Sequence, residues 1–282
     1  MLDVLTLQSL SLASFSATAL LPAWPMFVAA SIAGLVDSMG GGGGLITVPT
    51  LLTIGVPPQL LLGTNKCVST IGSLPAVFRY LRAGLIPRFK PAVAAGMVLA
   101  AASLSAYGAS LSLRPTIVEH LPLIVPFLLF AVMGFMVKRW FWDEKNRLRK
   151  PTAPLPLTEV ETRLRRPQYL LPTLGVAAYD GLLGPGTGTF FLSIFEGMGL
   201  DTIRANALTK IFNLASNVGA LIYFVSQGKL IIALGVSAAA FYLIGNYIGA
   251  GFVLRRGQKL IRLVVLLATS GLLLKHLARY LG

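Results

Sequence analysis

The chain has 282 residues, of which 55% are hydrophobic and only 12% are charged, so it has too few charged residues to cover a soluble protein of this length. The net charge of +14 would suit a nucleic-acid-binding protein, but the basic residues lie in loops between apolar runs and no base-reading motif accompanies them, so we expect no nucleic-acid partner. The single cysteine, Cys67, excludes a multi-cysteine metal site, and His120 and His276 are isolated. We expect neither a metal nor a cofactor.

Apolar segments follow one another along the whole chain. The run from Leu230 to Leu254 alone exceeds the roughly 20 residues with which a helix crosses hydrocarbon. Short alternating strands are absent from the sequence pattern, which favours helices over a barrel. The segments are predicted at residues 17–38, 43–56, 61–81, 88–110, 117–140, 167–182, 187–200, 205–226, 230–254 and 259–281. This pattern predicts an all-α polytopic membrane protein.

The sequence repeats itself at an offset of about 143 residues. The stretch GLVDSMGGGGGLITVP, with the following TNKCVSTIGS, matches AAYDGLLGPGTGTFFLSI and the following LTKIFNLASN. Asp37 thereby corresponds to Asp180, and Lys66 to Lys210. We therefore divide the chain into a first half, residues 1–140, and a second half, residues 167–282.

Residues 141–166 between the halves form a hydrophilic linker, which we assign to the cytoplasmic side because Lys and Arg are retained there. The basic loops at residues 79–90 and 255–262 share that side only if each half crosses the membrane an odd number of times. The second half then enters from the opposite face. Inverted repeats with broken helices at matching positions are typical of secondary transporters.

Each half contains a glycine cluster that is expected to break a helix, and the break could be re-entrant. Gly40 to Gly44 are consecutive glycines, and each costs about 1 kcal/mol relative to alanine inside a helix. The second half has GPGTG at residues 184–188. The N–H groups of Gly42, Gly43, Gly44, Gly186, Thr187 and Gly188 would point at a cavity and suit an anion. The alternative interpretation is that the glycines only let helices pack closely.

An ionised lysine inside a membrane helix is expensive unless it is paired or hydrated, so Lys66 and Lys210 indicate a functional site. Asp37 and Asp180 are the available partners, with gating or proton-coupling roles. Two purely structural ion pairs, Asp37 with Lys66 and Asp180 with Lys210, are the alternative.

Small polar side chains lie directly before each lysine and beyond it on one helical face, and they would complete a donor-rich pocket for an oxyanion. Interhelical hydrogen bonding is their alternative role, above all for Asn217. These candidates for substrate binding are Asn65, Ser69, Ser73, Thr209, Asn213 and Asn217.

Four motifs make the chain resemble the sulfite exporter TauE/SafE family of membrane permeases: DSxxGGGGLITVP at 37–49, TNK at 64–66, YDGxxGPGTG at 179–188 and TKxxNxxSNxGA at 209–220. The resemblance covers nearly the whole chain. It implies transport of sulfite, an organosulfonate or a related oxyanion across the cytoplasmic membrane, which in a bacterium is the inner membrane.

The leading hypothesis is therefore a multi-pass secondary transporter, embedded in the bilayer, that exports a small anion by alternating access between the halves. A monomer and a homodimer are both compatible with it. It would not be an enzyme. An intramembrane aspartyl protease using Asp37 and Asp180 is an alternative, because paired carboxylates can share a proton. A membrane assembly protein without transport is another.

Overall fold

The computed structural model describes residues 23–87, 89–147 and 155–256, and within these ranges the chain folds into helices and their connections without a β-strand. Several helices start at a proline, which is well placed in a first turn because its missing N–H would have no helical partner there. The helices are α1 (Trp24–Asp37), α2 (Gly44–Thr53), α3 (Pro58–Gly72), α4 (Leu74–Arg82), α5 (Pro91–Ser112), α6 (Pro115–Arg147), α7 (Val160–Leu164), α8 (Pro167–Leu182), α9 (Thr187–Gly197), α10 (Thr202–Ser226) and α11 (Ile232–Arg256).

Four of the described helices are long and apolar enough to cross a membrane: Pro91–Ser112, Pro115–Phe135, Thr202–Ser226 and Ile232–Leu254. α1 and α2 are shorter apolar helices. Large hydrophobic side chains such as Phe127, Phe130 and Ile222 are exposed on the long helices. A water-soluble protein rarely exposes so much apolar surface, so this is a multi-pass membrane protein.

The predicted segments correspond to observed helices, with two differences in the first half. The predicted segment 61–81 is divided into α3 and α4 at Ser73, because Pro75 has no N–H to continue the helix. Helix α6 runs on to Arg147, past the predicted end of the first half at residue 140. The predicted segment 259–281 and His276 lie outside the described residues.

The described part of the linker is more apolar in its contacts than its sequence indicated. Leu155, Val160 and Leu164 are buried in a core cluster with Phe195 and Met198 near the end of α9. The Leu155 N–H donates to the Gly199 carbonyl at 2.9 Å. These residues therefore attach the linker to the second half.

The halves interlock rather than lying side by side. Helix α1 of the first half packs along α11 of the second, and α8 of the second packs along α5 of the first. Glycines allow these close approaches: a side chain at Gly34 would strike the Tyr242 carbonyl, and one at Gly181 would strike the Ser105 carbonyl. Helix α3 also packs on α11, and α10 on α5. Each aspartate-bearing helix consequently lies against the opposite half.

Candidate functional site

The two glycine clusters break their helices and lie against each other. Helix α1 ends at Asp37 and α2 begins at Gly44, whereas α8 ends at Leu182 and α9 begins at Thr187. Gly41 and Gly186 have φ values of 72° and 84°, a left-handed backbone that glycine adopts without strain. The backbones of Gly41 and Gly188 are in contact, so that neither position has room for a side chain. The breaks thus form one junction.

Several backbone amides at this junction are available to a ligand. The N–H groups of Leu45, Ile46, Thr187 and Thr189 bond to carbonyls within their own turns. Among the described residues, no acceptor is found for the amides of Gly42, Gly43, Gly44, Gly186 and Gly188. These five amides lie at the positive ends of two helix dipoles, where an anion is favoured.

A polar cavity lies between the breaks and is shared by both halves. Seven of its lining residues precede the linker and eight follow it. The cavity is small: the space in which the centre of a water molecule fits is about 20 Å³, so it has room for one or two waters. The lining residues are Asp37, Gly42, Gly43, Gly44, Asn65, Lys66, Ser69, Asp180, Gly184, Gly186, Thr187, Gly188, Asn213, Asn217 and Tyr242.

The lysines and aspartates form two ion pairs that cross between the halves. Lys66 Nζ lies 2.7 Å from Asp180 Oδ1, and Lys210 Nζ lies 3.0 Å from Asp37 Oδ1. The pairing within each half that the sequence suggested, Asp37 with Lys66 and Asp180 with Lys210, is wrong. The physical reason is the interlocked packing, which sets each aspartate helix against the opposite half.

Both pairs are removed from solvent, since the side chains are only 2% and 3% exposed in the Lys66–Asp180 pair and 0% and 4% in the other. Removing one member of a buried pair leaves an uncompensated charge and costs about 3–5 kcal/mol. Neither aspartate is left to share a proton with the other, as a proteolytic carboxylate pair would, because a lysine binds each of them.

Lys66 and Lys210 differ in their access to the cavity. Lys66 lines it and donates a second hydrogen bond to Asn217 Oδ1 at 2.8 Å. Lys210 does not line it, and donates to the backbone carbonyl of Asp37 as well as to its carboxylate. Lys210 therefore lies behind Asp37 and away from the cavity, whereas Lys66 faces the cavity.

Of the other predicted substrate-binding residues, only Ser73 and Thr209 lie away from the cavity. The Ser73 hydroxyl donates to the Thr70 carbonyl at the end of α3, and the Thr209 hydroxyl donates to the Ala205 carbonyl at 2.8 Å. Both bonds are local contacts to the preceding helical turn. The sequence spacing placed Thr209 on the correct helix and Ser73 at the end of one, but the structure puts neither in the cavity lining.

Sequence reasoning missed Tyr242 and Asn246 on α11 and Gly184 in the second break. The Tyr242 hydroxyl lies against Gly43, and Tyr242 lines the cavity together with Asp37 and Ser69. The Asn246 side chain donates to Asp37 Oδ2 at 3.3 Å and accepts the Ala76 N–H at 2.9 Å. An amide and a phenol in an otherwise apolar membrane run were the available signal, because each must find a partner there.

The Ser38 carbonyl lies at the first helix break, and side chains of two other helices donate hydrogen bonds to it. Ser38 O accepts a hydrogen bond from the Tyr80 hydroxyl at 2.8 Å and another from Asn206 Nδ2 at 2.9 Å. Asn206 also donates to the Tyr80 oxygen at 2.9 Å. All three residues are fully buried. Unpaired backbone groups in hydrocarbon cost several kcal/mol each, so this network stabilises the broken conformation.

Probable membrane transporter proteins are similar to this chain over most of its length. The family model "Sulfite exporter TauE/SafE" matches residues 26–275. The chain is 35% identical over 258 residues to the probable membrane transporter protein ORF9 of Sinorhizobium sp., covering 90% of this chain and 91% of that protein. It is 29% identical over 246 residues to the probable membrane transporter protein YfcA of Escherichia coli K12, covering 87% and 86% of the two chains.

A probable membrane transporter protein of Haemophilus influenzae is 30% identical over 247 residues, covering 86% of this chain and 89% of the relative. No solved structure matches the chain. The family match spans most of the chain and includes both breaks and both ion pairs. The chain therefore belongs to the sulfite exporter TauE/SafE family of membrane transporters.

Proposed function

We propose that this transporter carries a small oxyanion, such as sulfite or an organosulfonate, out of the cell across the cytoplasmic membrane. The observation that carries the proposal is the convergence of five available backbone amides and the Lys66 ammonium on one cavity. Amides at helix N-termini and a lysine make charge-assisted hydrogen bonds to an oxyanion. The family's description as sulfite exporters supports both the cargo and the direction.

We propose that the substrate binds between two inverted repeats that move relative to each other. The helix contacts support this, because they occur in matching pairs. The packing of α1 on α11 corresponds to that of α8 on α5, and the packing of α3 on α11 corresponds to that of α10 on α5. The cavity has room for one or two waters and not for a sulfonate, so binding requires the halves to separate at the junction. Opening alternately to each side would then carry the anion across.

Efflux from proteoliposomes loaded with radiolabelled sulfite tests the proposal. Lys66→Ala removes a charged hydrogen-bond donor worth about 1.5–3 kcal/mol, so we expect the apparent affinity to fall roughly 10-fold to 100-fold. Lys90→Ala is the matched control, because Lys90 is an exposed lysine outside the cavity. Wild-type efflux no faster than that of empty vesicles, or equal efflux by wild type and Lys66→Ala, would contradict the proposed role of this site.

A further inference from the structure

The two ion pairs differ in how an anion that enters the cavity can contact them, because Lys66 lines the cavity and Lys210 does not. Lys66 is the ammonium that lines the cavity, and it is already bound to Asp180 and Asn217. An anion that binds Lys66 therefore competes with the Asp180 carboxylate. Lys210 keeps both of its bonds to Asp37 in this process, because it lies behind Asp37 and outside the cavity lining.

Asp180 is left in an unfavourable position once Lys66 turns to the anion. Its side chain is 3% exposed, and the bond that remains to it among the described residues is from the Ser216 hydroxyl, which lies 2.6 Å from Oδ2. The cavity would then hold the carboxylates of Asp180 and Asp37 together with the anion. Like charges this close in a site with little water disfavour one another strongly, and protonation of one carboxylate relieves the conflict.

We propose that the anion binds together with one proton, and that Asp180 rather than Asp37 receives it. This inference rests on the function proposed above. The step is an exchange of partners: the Lys66 ammonium moves from Asp180 Oδ1 to the anion, and a proton from the water-facing side of the cavity binds the freed oxygen. Ser216 continues to donate to Oδ2. A monoanion then crosses without net charge, so its direction follows the anion and pH gradients and not the membrane potential.

The other charged and titratable groups around Asp180 do not offer a better site for the proton. Lys66 faces it from α3, and Asp37 faces it across the cavity with Lys210 of α10 already bound. Helix α5 carries no acidic or basic side chain, and its Tyr107 is exposed. The hydroxyl of the adjacent Tyr179 is engaged with the Pro185 carbonyl at 2.6 Å. None of the remaining charged residues on packed helices lines the cavity; they are Glu161, Arg163, Glu196 and Arg204.

The first test measures proton movement with the wild-type protein in proteoliposomes that contain a pH-sensitive dye. Methanesulfonate and sulfite are used as separate probes, because methanesulfonate is ionised throughout the working range and sulfite exchanges a proton of its own. We expect about one proton to accompany each methanesulfonate. Since one pH unit corresponds to 1.36 kcal/mol, a gradient of one unit should support about tenfold accumulation. A membrane potential alone should support none.

The second test compares Asp180→Asn with the equivalent Asp37→Asn. Asparagine at residue 180 keeps an acceptor for Ser216 but cannot exchange a proton, so whatever anion exchange the variant retains should not be driven by a pH gradient. Because the variant leaves Lys66 without its counterion, less folded protein should be recovered, as for Asp37→Asn. For sulfite, the difference between wild type and Asp180→Asn isolates the proton carried by the protein. Whatever transport Asp37→Asn retains should still be driven by the pH gradient, with less folded protein recovered.

The outcomes separate this inference from the proposed function. Methanesulfonate flux without proton movement, methanesulfonate flux that carries current or requires sodium, or flux in Asp180→Asn that still follows the pH gradient would overturn the proton role of Asp180 alone. If neither sulfite nor methanesulfonate crossed the membrane with the wild-type protein, the proposed function would fail and this inference with it.

Discussion

Lys66 Nζ lies 2.7 Å from Asp180 Oδ1, although the two residues belong to opposite halves of the chain. In the same way, Lys210 of the second half pairs with Asp37 of the first. Each half therefore supplies the counterion that the other half needs in the membrane, and the cavity lies at the point where the breaks and these pairs meet.

The Lys210–Asp37 pair is expected to act mainly on stability. Asp37→Asn should lower the free energy of unfolding by about 3–5 kcal/mol, because it leaves the Lys210 charge buried without its counterion. The double variant Lys210→Met, Asp37→Asn should recover most of that loss. Unfolding in detergent micelles measures both values. In the mismatched double variant Lys66→Met, Asp37→Asn no recovery is expected, and recovery there would contradict the crossed pairing.

The contact between the two breaks is expected to tolerate no side chain. Gly41→Ala would place a Cβ in the backbone of Gly188 at a residue whose φ is 72°, so little folded protein should be recovered. Gly96→Ala on α5 is the control, since nothing lies within 4 Å of its Cβ position. Alanine is favoured there by about 1 kcal/mol of helix propensity. Size-exclusion chromatography of the solubilised protein compares the two, and equal recovery would show that the breaks do not touch.

The Tyr242 hydroxyl is expected to matter for transport. Tyr242→Phe keeps the ring that fills the space beside Gly72 but removes a hydroxyl from the wall of the cavity that Asp37 and Ser69 also line. Removing a buried polar group from a polar site costs about 1–3 kcal/mol, so we expect a measurable loss of stability and a higher half-saturation concentration for the transported anion. Tyr247→Phe on the same helix should change neither, because Tyr247 is exposed and its ring remains under Arg79. Similar kinetics for both variants would remove Tyr242 from the site.

Asn246 is expected to stabilise the division between α3 and α4. Asn246→Ala leaves the Ala76 N–H without its acceptor and Asp37 without one of its donors, at a cost of about 1–3 kcal/mol. Ser237→Ala on the same helix is the control, since no hydrogen bond of its side chain is seen among the described residues. Thermal unfolding followed by circular dichroism distinguishes them. A stable Asn246→Ala protein would mean that water or another group serves Ala76.

The sequence predicted most of the architecture because its signals were local. Each signal depends on a short stretch of sequence: an apolar run, a glycine cluster, or a charged residue inside a membrane segment. The predicted helices and broken segments correspond to observed ones. The same local signals identified Asp37, Asp180 and Lys66 as residues of the cavity.

What the sequence could not provide was the choice of partner. From the sequence alone, the aspartate and the lysine of one half are the natural ion-pair partners. The packing of α1 on α11 and of α8 on α5 instead sets each aspartate against the opposite half. The position of Lys210 behind Asp37, the turn of Ser73 and Thr209 away from the cavity, and the approach of Tyr242 depend on the same long-range packing. The two ion pairs and the approach of Tyr242 to Gly43 join residues more than 100 positions apart, and no short motif encodes them.

The crossed pairs also have a consequence for biosynthesis. Asp37 precedes its partner Lys210 by 173 residues, so at about 5–20 residues per second the ribosome needs roughly 9–35 s to deliver that counterion. During most of this interval Asp37 and Lys66 of the newly made first half lack the partners that the complete protein supplies. A truncated chain that stops at the linker would never receive them, so we expect it to be less stable than the complete protein.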